Sequence, residues 1–119
     1  MDIQSLVGFV LESCRFSRSS YTFEFSGRLD GRHVSLLVST SFSVSAFGEE
    51  RVDACSRLSL FAWPLLEREV MGVQVNEQTF EVRFDLGEGR GFMVWSDAPP
   101  VDNLLLVSDG SSGDWVPVL

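Results

Sequence analysis

A two-residue alternation that occurs twice constrains this chain more than any other feature. Tyr21, Phe23 and Phe25 alternate with Thr22, Glu24 and Ser26, and Phe80, Val82 and Phe84 alternate with Glu81, Arg83 and Asp85. Successive strand side chains point to opposite faces, so each segment reads as a strand with one face in a core and the other in water. Gly27, Asp30-Gly31 and Gly87-Glu88-Gly89 lie beside these segments. They supply the positive-φ positions that tight reversals need, which predicts antiparallel hairpins.

The two segments belong to longer stretches that resemble one another. From Leu6 to Thr40 the order is Val10, Cys14 and Phe16, then Tyr21-Thr22-Phe23-Glu24-Phe25, then Gly31-Arg32, then Leu36-Leu37-Val38-Ser39. From Leu66 to Asp97 it is Val70, Val73 and Val75, then Thr79-Phe80-Glu81-Val82, then Gly89-Arg90, then Phe92-Met93-Val94-Trp95-Ser96. Each stretch reads as a three-stranded meander. A true internal duplication and the ordinary periodicity of β-meanders both account for the match.

Between the stretches, Glu49 to Ala62 is predicted to be a helix: Val52, Cys55, Leu58 or Ser59, and Ala62 recur at three-to-four-residue spacing. Glu49, Glu50 and Asp53 suit the positive end of its dipole, and Pro64 removes Trp63 from helical geometry. Leu58, Leu60 and Ala62 also alternate, so a strand stays open there. After Pro99-Pro100, Leu104 to Val107 and Trp115 to Leu119 form a closing hairpin around Asp109-Gly110-Ser111-Ser112-Gly113, with Pro117 at a sheet edge. The expected class is α+β: two three-stranded antiparallel meanders joined by one helix, plus a C-terminal hairpin extending or covering the sheet, with a strongly bent sheet or partly closed barrel also open.

With 119 residues, 45% of them hydrophobic, the chain is expected to be one domain spanning residues 1–119 with a core that needs no metal or disulfide. No basic leader and no apolar run of membrane-spanning length occurs, so the expectation is a cytoplasmic protein with Cys14 and Cys55 as reduced thiols. All nine basic residues are arginine, which reads as compositional drift.

Catalytic motifs are scarce. His33 is the one histidine, the cysteines lack metal-ligand spacing, and no serine occupies a Gly-x-Ser-x-Gly turn. Gly87-Glu88-Gly89-Arg90-Gly91 precedes a strand, not the helix a phosphate cradle needs, and Glu88 would repel the anion. The paired carboxylates Glu49-Glu50 and Glu67/Glu69 read as solvated charge. No enzyme activity, cofactor or metal is expected.

Charge is where the functional information lies. In residues 1–48 four arginines balance four acids; residues 49–119 hold five arginines against thirteen acids and so carry the whole net charge of −8. Asp97, Asp102, Asp109 and Asp114 have no basic residue among them. Such a field disfavours nucleic acid and anionic membranes and steers a basic protein partner. Of Trp63, Trp95 and Trp115, the last follows a Gly/Ser loop and Asp114, which makes it the expected exposed anchor. The partner-binding set is therefore Asp97, Asp102, Asp109, Asp114 and Trp115. Oligomeric state stays open, a homodimer among the options.

In general character the chain resembles the small, acidic, β-rich immunity proteins of bacterial toxin–immunity systems. The features that carry this are the two meanders led by Leu6 and Val10 or Leu66 and Val70, the short linking helix expected between them and the acidic second half. The resemblance implies stoichiometric occlusion of a basic toxin, without catalysis. An acidic secretion chaperone that adds a client segment to a sheet edge and a small-molecule-binding domain are the competing readings.

Overall fold

The computed structural model describes residues 2–27, 31–39, 42–48, 52–53, 63–96, 105–108 and 115–118. Ten strands form two antiparallel sheets: β1 (Phe9–Phe16), β2 (Ser20–Gly27), β3 (His33–Ser39), β4 (Ser43–Phe47), β5 (Val52–Asp53), β6 (Gly72–Asn76), β7 (Glu81–Asp85), β8 (Gly91–Trp95), β9 (Leu105–Ser108) and β10 (Val116–Pro117). One sheet has the order β1-β2-β3-β9-β10 and the other β5-β4-β8-β7-β6. Short 3-10 turns, Ile3–Leu6 and Trp63–Leu65, precede β1 and β6.

Both predicted meanders are present, β1-β2-β3 and β6-β7-β8, and the C-terminal hairpin β9-β10 extends the first through β3. The alternations fall as expected: Tyr21, Phe23 and Phe25 are buried, as are Val82 and Phe84. Phe80 differs, since it sits in the turn before β7 with φ 53°. Across the core Phe23 stacks on Phe92 and Phe92 on Phe84, each pair with ring centroids 4.5 Å apart. The first of these stacks joins the two sheets, and both pack side chains that contribute about 1.5–3 kcal/mol each through burial.

The expected α+β class is overturned. Among the described residues there is no α-helix, and Val52 and Asp53, inside the predicted 49–62 helix, pair antiparallel with Ala46 and Ser45 of β4. The cause is tertiary. A four-position apolar spacing is weak evidence for a helix, whereas β4 gains a ladder partner from the extended form. The described residues are β-rich, in two antiparallel sheets with short 3-10 turns; the remainder of the predicted helix, 49–51 and 54–62, lies outside the described residues.

The topology repeats with a period of five strands. Adding five to every strand of β1-β2-β3-β9-β10, and returning from ten to one, gives β6-β7-β8-β4-β5, the order of the other sheet. Each half therefore sends its fourth and fifth strands into the sheet of the other. Where β1 meets the segment leading into β6, Val10 bridges Glu69, flanked by four backbone hydrogen bonds. The Gly8 amide donates to Val70 and the Glu67 amide to Leu11; the Leu11 amide donates to Arg68 and the Val70 amide to Phe9. Under the equivalence of Gly8 with Glu67, Phe9 with Arg68 and Leu11 with Val70, these are two symmetric pairs. A local pseudo-dyad runs through the Val10–Glu69 bridge, and the seam joins both sheets along one side.

Candidate functional site

The seam builds a groove beside its own pseudo-dyad. Its walls are Glu12, Trp63, Leu66 and Glu67, enclosing about 290 Å3 of open space. Glu12 arrives there through a bulge: the β1–β2 register passes from Leu11–Phe25 to Ser13–Glu24 and leaves Glu12 as the extra residue. The bulge keeps Leu11 and Cys14 on the core side while turning the Glu12 carboxylate outward. There it accepts a 2.6 Å hydrogen bond from the Ser26 hydroxyl and lies 3.9 Å from His33 Nδ1.

Glu67 reaches the groove with φ 67°, a left-handed conformation that residues other than glycine, asparagine and aspartate rarely adopt. Its amide is held by the Leu11 carbonyl at 2.7 Å. Its neighbour Arg68 turns away, donating from Nε to the Pro64 carbonyl at 2.9 Å and standing 3.7 Å from Glu88. Among the described residues no cation pairs with the Glu67 carboxylate. Trp63 opens the 3-10 turn of Trp63–Leu65, whose Leu65 is buried as an anchor, and is itself 78% exposed.

Of the five residues expected to bind a partner, Trp115 is described and is 43% exposed beside β10. Asp97, Asp102, Asp109 and Asp114 lie outside the described residues. The most exposed tryptophan is Trp63, which sequence reasoning had assigned to the end of a helix. Its signal was local: Pro64 excludes helical continuation, and the carboxylate of Glu67 follows the Leu65-Leu66 anchor.

Cys14 and His33 do not form a nucleophilic pair. Cys14 is paired with the inward-facing Phe23, while His33 pairs with Ser26 on the outer face. Burial pushes the Cys14 thiol up to about 12, so it stays protonated at neutral pH. The Gly87-Glu88-Gly89 segment is the β7–β8 reversal, with all three residues at positive φ. Among the described residues no three His, Cys, Asp or Glu side chains gather as metal ligands, and no helix is long and apolar enough to cross a membrane. No family model matches the sequence, and no curated protein or solved structure is significantly similar to it.

Proposed function

We propose that the chain is a non-catalytic protein-binding domain that caps a basic partner, in the manner of an immunity protein occluding a toxin. The observation that carries this is Trp63, exposed on a groove whose other walls include the carboxylates of Glu12 and Glu67. Tryptophan is among the residues most enriched at binding hot spots. Its acidic surroundings select a cationic surface, and the net charge of −8 would accelerate the encounter. Asp97, Asp102, Asp109 and Asp114, with Trp115, supply a second acidic contact in this reading.

The test compares wild type with Trp63→Ala and with the triple variant Asp102→Arg, Asp109→Arg, Asp114→Arg. A protein retained from the native cell by wild type is purified and the complex rebuilt from the two components. The reading expects a one-to-one complex whose association slows with added salt, and an affinity loss of tenfold or more, about 1.4 kcal/mol, in Trp63→Ala. Unchanged affinity in both variants would overturn it. Unchanged affinity in the triple variant alone would confine the contact to the groove.

A further inference from the structure

We infer that the groove receives an arginine side chain of the partner, its guanidinium stacked on Trp63 and forked to Glu67 and Glu12. This rests on the protein-binding reading and names the group that the groove takes.

The internal repeat supplies a control that the sequence alone does not. Continuing the seam equivalence in both directions places Trp63 opposite Gln4, Leu66 opposite Val7, Glu67 opposite Gly8 and Glu12 opposite Met71. Over residues 8–11 and 67–70 the same hydrogen-bonded framework is thus built twice, and the positions counted out from it carry an indole and two carboxylates in one case and none of them in the other. Gln4 shows what the first position contributes to folding, since its side-chain amide donates to the Val73 carbonyl of β6 at 2.9 Å. Trp63 projects into solvent. Gly8 takes φ 94° without strain, whereas Glu67 takes φ 67° against its own preference. Folding would be served better by glycine at both places. The left-handed position at 67 thus carries a carboxylate where its counterpart carries no side chain.

The chain's own packing shows aromatic faces covered by cations. Arg32 lies over the ring of Phe9 at 5.6 Å and Arg83 over Phe47 at 3.9 Å. Trp63 has no such cover among the described residues, and the adjacent Arg68 is engaged by Pro64 and Glu88. A planar guanidinium satisfies an indole face and two carboxylates together. The compact, strongly hydrated ammonium of lysine does so less well.

The test is a nuclear magnetic resonance titration of the full chain with the blocked peptide Gly-Arg-Gly and its lysine and citrulline counterparts. The arginine peptide should shift the Trp63 indole and Glu67 amide signals, bind about tenfold more tightly than the lysine peptide, and leave citrulline without effect. Glu67→Gln should weaken it about fivefold to tenfold, while Glu77→Gln, an equal charge change outside the groove, should alter affinity less than twofold. Glu67→Gly should show the same loss while raising Tm by about 2–4 °C, because the left-handed position is relieved. Equal binding of the lysine peptide, equal effects of Glu67→Gln and Glu77→Gln, or a lower Tm in Glu67→Gly would overturn the inference. No partner protein enters this assay. A failed titration beside a partner that still discriminates Trp63→Ala removes the arginine assignment alone, and unchanged partner affinity in both Trp63→Ala and the triple aspartate variant removes the protein-binding reading.

Discussion

Cys14 shows how one residue's surroundings set its chemistry. The sequence reads it as a small buried hydrophobe, and its inward position on β1 opposite Phe23 agrees. In the unfolded chain its thiol ionises near the ordinary value of about 8.5, whereas burial raises it to about 12 in the fold. Below about pH 8 both states hold the proton, so the contribution to stability is fully present. As pH rises toward the folded value only the unfolded chain ionises, and that contribution is lost. Urea unfolding from pH 7 to 10.5 should therefore show wild type losing stability relative to Cys14→Ala above about pH 8.5. Parallel curves would show that the thiol titrates alike in both states. Glu67 was less legible: nothing in Leu65-Leu66-Glu67-Arg68 announces positive φ, because that conformation is imposed by the hydrogen bond from its amide to the Leu11 carbonyl.

Strand β8 carries the sharpest steric constraint among the elements. Gly91, at its start, pairs with Phe47 on β4 and Asp85 on β7. A Cβ there would run into the Phe84 carbonyl oxygen and come within 2.6 Å of Phe47 Cζ. Gly91→Ala should destabilise the fold by more than about 2 kcal/mol, read as a lower urea midpoint with an unchanged slope. A midpoint within 0.2 M of wild type would show that β4 and β7 can move apart locally, on the usual scale of such slopes. Meanders and the closing hairpin were legible because alternation and turn residues are local signals. Val52 and Asp53 were misread for the complementary reason: a local apolar spacing suggested a helix, and the edge of β4 supplied a ladder partner from elsewhere in the chain.

The exchange of strands makes the whole molecule one cooperative unit. β4 finds its partner in β8 and β9 finds its partner in β3, so neither half contains the strands that complete its own sheet. A chain opened between residues 58 and 59 should give two fragments that lack cooperative unfolding separately and regain it when mixed, followed by circular dichroism and calorimetry. Cooperative unfolding of either fragment alone would show that a single meander suffices. The repeated stretches in the sequence thus correspond to a repeated topology, and the pseudo-dyad at Val10–Glu69 gives the equivalence that gapped comparison of the stretches left open.

From its sequence alone this chain determined where the strands of the two meanders and the closing hairpin run, which faces the meander strands bury and where its net charge lies, because periodicity, turn chemistry and composition are carried by neighbours along the backbone. Only the tertiary structure decided that Ser43–Phe47 and residues 52–53 are strands, that the halves trade their last two strands, and that Glu12, Glu67 and Trp63 line one groove. Those outcomes depend on hydrogen bonds and contacts between segments far apart in the chain, which no local pattern records.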